Sequence, residues 1–228
     1  MTTRNVNERM SAHDDISRIP GGGNWIEGEG TAVFVPEGYE SRYAYPVVVW
    51  LEGSDHSQAA GARSWFPRAS DRNCIVISLE PPLVGSAGSS PEWRSSPDDL
   101  WEALDYVGTA VAEVSAEMNV HPDRVFLAGN GDGGSVACDL LCVDPDQFAG
   151  AIAVAPSGPQ ADGVLHDWRS IPSRSVLVLD CDAHSEWLRQ LRQSGIDVDW
   201  EPDLPPRRMA SRMIDWIMSH IPTTTPTV

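Results

Sequence analysis

The chain has 228 residues, is 41% apolar, and carries 33 acidic against 16 basic side chains for a net charge of −17. So acidic a chain excludes the polyanions, nucleic acid and anionic membrane, as partners, and no run reaches the ~18 apolar residues that cross a bilayer. Every basic residue is arginine, which rules out Schiff-base chemistry on a side chain and a P-loop lysine, and suits planar, bidentate surface pairing.

The polar start, Met1 to Asp15, has no apolar stretch after a basic opening, so a cytoplasmic location is expected. Residues 1–18 read as a lead, 19–221 as one domain and 222–228 as a Thr/Pro-rich tail. A domain of this size buries roughly 70–75% of its unfolded surface. The cysteines, Cys74, Cys138, Cys142 and Cys181, lack the close C-x-x-C spacing of zinc sites and read as buried thiols in a reducing compartment. No metal or cofactor is expected.

In chain order, Pro20 to Asn24 is expected to form a flexible turn. Thr31 to Pro36 is a strand, and Tyr45 to Leu51 (YPVVVWL) and Cys74 to Leu79 (CIVISL) are continuous apolar runs of the kind covered on both faces of a parallel sheet. A Gly/Ser/Pro-rich stretch from Pro81 to Ser96 is long enough to be functional. Ser96-Pro97-Asp98-Asp99 opens a helix with a serine cap, proline in the first turn and acids at the positive end of the dipole. Its apolar face is Leu100, Leu104, Val107, Val111, Val114 and Met118, and Glu102, Asp105, Glu113 and Glu117 are solvated. Val125 to Ala128 is a strand, followed by a glycine-rich turn and a helix bearing Val136, Leu140 and Val143. Phe148 to Pro156 and Val176 to Leu179 are buried strands. A helix over Ser185 to Gln193, a strand over Ile196 to Trp200, and a helix from Pro206 to His220 with Met209, Met213, Trp216 and Ile217 inward complete the pattern. Strands alternating with helices imply an α/β fold with a mostly parallel sheet and helices on both faces. Ligands then bind beyond the carboxyl ends of the strands.

The most informative segment is Val125-Phe126-Leu127-Ala128-Gly129-Asn130-Gly131-Asp132-Gly133-Gly134. A strand runs through a tight glycine turn into a helix, the form of the G-x-S-x-G nucleophile elbow. The middle position is Gly131, which has no atom with which to attack a carbonyl. With Asn119-Val120-His121-Pro122-Asp123-Arg124 before it and Asp144-Pro145-Asp146-Gln147-Phe148-Ala149-Gly150 after it, the chain resembles the α/β-hydrolase superfamily over roughly residues 25 to 220. Within it the likeness is to the small esterases of the phospholipase/carboxylesterase and polyhydroxybutyrate-depolymerase-like group.

The resemblance implies a serine, a late histidine and an acid that orients it. Carried over, the serine falls on Gly131. The acid falls among Asp180 and Asp182, with Asp182 the nearer candidate. The loop that would hold the histidine, Glu201 to Arg208, contains none. The histidine-glycine pair frequent in the family is Glu52-Gly53 here. Backbone donors resembling an oxyanion hole, at Asp132 and near Gly53 or Ser54, survive, while Glu52 beside them would disfavour negative charge. Asp132 is the rescue candidate for a displaced nucleophile, with His56, in the loop facing the cleft, or His184 as its base.

Two losses point to a chain released from chemistry. The expected function is a catalytically inactive esterase-like protein acting by protein binding or by self-assembly into a homo-oligomer. Nine tryptophans, of which Trp65, Trp93, Trp168 and Trp187 fall in or beside loops and amphipathic segments, are consistent with an interface. The alternatives are a carboxylic-ester hydrolase that uses Asp132, and a receptor for a small molecule in the vacated cleft, closed by the loop from Pro81 to Ser96.

Overall fold

The computed structural model describes residues 17–18, 24–53, 61–63, 66, 74–82, 92–94, 96–157, 174–193 and 196–220. Among the sequence-derived candidates, Ser54, His56, Trp65 and Trp168, most of the Pro81–Ser96 loop, residues 1–16 of the lead and the 222–228 tail lie outside these residues.

The strands are β1 (Ser17–Arg18), β2 (Asn24–Glu27), β3 (Thr31–Val35), β4 (Tyr45–Leu51), β5 (Ile75–Leu79), β6 (Val120–Asn130), β7 (Gly150–Val154), β8 (Ser175–Leu179) and β9 (Asp197–Glu201). The helices are α1 (Pro97–Glu117), α2 (Asp132–Val143), α3 (Glu186–Gln193) and α4 (Pro206–Ser219). One sheet orders the strands β1-β2-β3-β5-β4-β6-β7-β8-β9. The pairs from β5 through β4, β6, β7 and β8 to β9 are parallel, and β1, β2 and β3 join antiparallel at one edge.

The alternation of side chains along each strand explains the unbroken apolar runs. Val47, Val49 and Leu51 of β4 enter one core, together with Leu100, Leu104 and Val107 of α1, Val136 and Leu140 of α2, and Trp187, Leu188 and Leu191 of α3. Val48 and Trp50 enter the opposite core with Met209, Met213, Trp216 and Ile217 of α4. A strand covered on both faces has no polar side to alternate with. The inward set expected of α4 is therefore observed.

Three elements differ from expectation. Ser17–Arg18, read as the end of the polar lead, pair antiparallel with Asn24 and Trp25 as β1. Asn24, expected in a flexible turn, opens β2, whose Trp25 is fully buried and opposite Phe34, with ring centroids 5.4 Å apart. The glycines before it masked the short strand. β6 begins at Val120, not Val125, because its first residues are partly exposed and carry no apolar signal. Arg124 in that stretch is buried, and its guanidinium donates to Ile217 O at 3.3 Å, satisfying a carbonyl of the last turn of α4.

The first turn of α2 meets the ends of β4 and β6 backbone to backbone. A Cβ added to Gly133 would lie 2.2 Å from Leu51 O, and one on Gly129 would lie 2.5 Å from Gly133 C. Neither neighbour is a flexible side chain, so neither can yield cheaply. Gly133→Ala is expected to destabilise the fold by about 3 kcal/mol or more, lowering Tm by roughly 6–12 °C for a chain of this length. An unchanged melting curve would show that this contact has slack.

Candidate active site at the carboxyl end of the sheet

β6 ends at Asn130, and Gly131 turns the chain into α2 with φ 59° and ψ −123°. This is the strained strand-to-helix turn that an elbow imposes on its apex. Glycine adopts it without a Cβ penalty. The turn is well anchored: Gly131 N donates to Val154 O at 2.9 Å, and Gly131 O accepts from Ser135 N, Ser135 Oγ and Ser157 N at 3.1, 3.2 and 3.4 Å. A Cβ on Gly131 would meet nothing within 4 Å. The apex is open, and only its side chain is lacking. Asp132 opens α2 as a first-turn acid, where the dipole favours a carboxylate, and its N–H follows the apex as an oxyanion donor would.

Glu52 and Gly53 sit at the end of β4, beside the elbow. The Glu52 carboxylate accepts from Trp50 Nε1 and Ala62 N, both at 3.1 Å, and from Ser78 Oγ at 2.5 Å. Its backbone carbonyl accepts from Trp93 Nε1 at 2.8 Å. Glu52 therefore ties β4 to β5 and to the segments at Ala62 and Trp93. Sequence reading gave it only an electrostatic effect on the hole. The structure gives it a clasp, and the clue was a carboxylate between two buried runs.

Asp182 follows β8, two strands from β6 and thus roughly 10 Å away laterally. Its Oδ1 accepts from His184 N at 2.8 Å, closing an exposed turn. Asp180, next to it, has φ 53°, so the chain reverses sharply there. Among the described histidines, His184 alone shares the elbow's end of the sheet. His121 lies at the far end of β6, beyond an irregularity opposite Tyr45 and Val47 of β4, and so more than about 20 Å from Gly131. His220 packs on Trp216, with ring centroids 4.1 Å apart, and its Nδ1 lies 2.8 Å from Trp216 O. Nothing in the described residues brings an imidazole to the loop after β9, where Pro202 to Pro205 stand. The structure thus gathers Gly131, Asp132, Glu52 and Gly53 at one end, with Asp182 and His184 on the same rim. It also adds Ser157, whose contact with the apex carbonyl was invisible in the sequence because it depends on β7 lying beside β6.

Two expectations about the tryptophans are corrected. Trp93 and Trp187, taken as interface aromatics, are 5% and 2% exposed. Each packs into the core on the α1–α2–α3 side of the sheet, because a loop or amphipathic helix can turn its one large apolar face inward. Among the described residues the exposed tryptophan is Trp101, at 58%. Among the described residues no group of three or more His, Cys, Asp and Glu side chains could hold a metal, and no helix is long and apolar enough to cross a membrane.

The strand order, the elbow and the rim of acids define an α/β-hydrolase fold. Residues 26–202 match the family model Esterase, described as "Putative esterase", and the chain belongs to that family. It is 27% identical over 137 residues to "Putative esterase NocK" of Nocardia uniformis subsp. tsuyamanensis, a match covering 58% of this chain and 38% of that protein. Solved structures share the fold at lower identity. The fluorophosphonate-binding serine hydrolase FphF of Staphylococcus aureus superposes with a TM-score of 0.62 at 14% identity, over 86% of this chain and 99% of the other. An S-formylglutathione hydrolase from Agrobacterium tumefaciens gives 0.59 at 16% identity, over 89% and 96% of the two chains.

Removing the clasp has a defined consequence. Glu52→Ala leaves the Ser78 hydroxyl and the Ala62 N–H without their acceptor and is expected to destabilise the fold by about 2–4 kcal/mol. Glu52→Gln, which keeps one acceptor oxygen, is expected to cost about half as much. Urea denaturation of the two variants checks the order, and equal small effects would mean that the clasp is replaced by water.

Proposed function

We propose that the chain is a catalytically silent member of the Esterase family that works by binding. The observation that carries this reading is the apex of the elbow. Its geometry and anchoring bonds are those of a nucleophile turn, yet the residue there is glycine. The loop between β9 and α4, Pro202 to Pro205, holds no histidine to act as base. An oxyanion hole without nucleophile and base sustains at most on the order of 10³–10⁴-fold acceleration over water.

The partner we propose is a second copy of the chain. Trp101, near the start of α1, and Tyr43 are the large apolar side chains exposed among the described residues, and tryptophan and tyrosine are enriched among interface anchors. With a net charge of −17, two copies repel at low ionic strength, so association should strengthen as salt screens them. A second reading, a small carboxylic acid or ester held over the apex, is favoured by the open space above Gly131. The named esterases and hydrolases among its relatives motivate a third, turnover by relocated residues such as Asp132.

The deciding assay is hydrolysis of a short-chain nitrophenyl ester across pH by the unmodified chain and by Gly131→Ser. Both are expected to match the buffer blank. The serine variant should fold, because its Cβ meets nothing, while backbone strain costs it about 1–3 kcal/mol. Saturable turnover by the unmodified chain that Asp132→Ala abolishes would overturn silence and establish the relocated nucleophile. Sedimentation at low and high salt is expected to show a dimer or larger species at high salt, weakened by Trp101→Ala. A monomer in both salts at high protein concentration would remove self-assembly and leave thermal-shift screening of small acids and esters as the test of the cleft.

A further inference from the structure

Asp139 occupies the middle of α2 and is fully buried, yet neither of its carboxyl oxygens has a hydrogen-bond partner. Such a group is tolerated in a core only if it carries no charge or gains an ion partner. The elements packed against α2 are β6, β7, β4 and α1, and none offers one. β7 has no titratable side chain. Tyr45 of β4 accepts from Glu40 N, and Tyr106 of α1 donates to Gly30 O. The carboxylates of α1 lie on or toward its solvent side. On β6, His121 and Asp123 stand at the far end of the strand, and Arg124 is turned to α4 on the opposite face of the sheet. On α2 itself the neighbours are Cys138 and Cys142, whose thiols are pushed up by burial first, then by Asp139 for Cys138 and by Cys138 and Asp139 for Cys142. Burial alone raises the Asp139 pKa from 3.8 to about 7.

We propose that α2 is seated by a proton: the elbow helix packs fully only while the buried, unpartnered Asp139 carboxyl is protonated, which makes the elbow sensitive to pH. α2 is a continuous helix from Asp132 to Val143. A shift that hydrates Asp139 is transmitted along it to Gly133 and Gly134, whose contacts with Leu51 and Gly129 leave no space. Protonation of a residue outside the cleft thereby sets the position of the Asp132 N–H at the apex. The proposal is independent of whether the elbow binds or hydrolyses.

The direction follows from proton counting. Between about pH 4 and pH 7 the folded chain holds a proton that the unfolded chain has released, so folding is favoured less as pH rises. The stabilisation is complete below pH 4 and lost above about 7. The test is urea unfolding of the full chain from pH 4 to 9, unmodified and as Asp139→Asn, with hydrogen exchange of the Asp132–Ser135 amides. The ratio of the two unfolding constants is expected to change about tenfold per pH unit inside the window and to level off above it. The elbow amides should lose protection above neutral pH in the unmodified chain only. A ratio constant with pH overturns the proposal, and so does a changing ratio with elbow amides that do not respond. Should the Asn variant fail to fold, the carboxyl carbon resonance of Asp139 in the unmodified chain decides. A midpoint near 7 upholds the proton, and a midpoint in the ordinary carboxylate range overturns it.

Discussion

The contact on which the candidate site depends is the one between the first turn of α2 and the ends of β4 and β6. Gly129, Gly133 and Gly134 let three backbone segments meet without an intervening side chain. That approach fixes the angle at which the helix leaves the sheet, and so the positive φ at Gly131. It also brings Asp132 beside the end of β4, where Glu52 and Gly53 stand. Were the approach looser, the turn would relax toward an ordinary helix start and the apex would no longer stand above the sheet.

Around this contact the chain places polar groups of two kinds. Glu52 has every neighbour it needs, three donors on its carboxylate and an indole on its carbonyl, and acts as a tie between segments far apart in sequence. Asp139 has none. The same low-dielectric surroundings make the first bond network strong and the second group costly to ionise. A glycine at the apex avoids strain that a serine there would store.

Much of the fold was legible because its strands are buried on both faces and its helices on one. The runs Tyr45–Leu51 and Ile75–Leu79, the face Leu100–Leu104–Val107 and the inward set of α4 are each a local pattern with one physical meaning. The failures were also physical. β2 is short and follows three glycines, and the start of β6 is half solvated, so neither writes a period into the sequence. Trp93 and Trp187 carry no local mark that tells a core anchor from an interface anchor, since either use needs only a large apolar surface. Trp101, on the outer side of α1, was passed over for the same reason.

The sequence by itself determined which residues stand at the positions the family uses: glycine at the elbow apex, no histidine between Glu201 and Arg208, and no lysine anywhere. Residue identity settles such absences, whatever the coordinates. It also determined the layered α/β plan, because hydrophobic periodicity reports burial face by face. Only the tertiary structure decided which polar groups find partners. Ser157 meets Gly131 because β7 lies beside β6. Glu52 meets Ser78 because β4 pairs with β5, and Asp139 meets nothing because helices and strands close over it. Hydrogen bonding depends on distances of a few ångströms between residues far apart along the chain, and a linear sequence does not carry them.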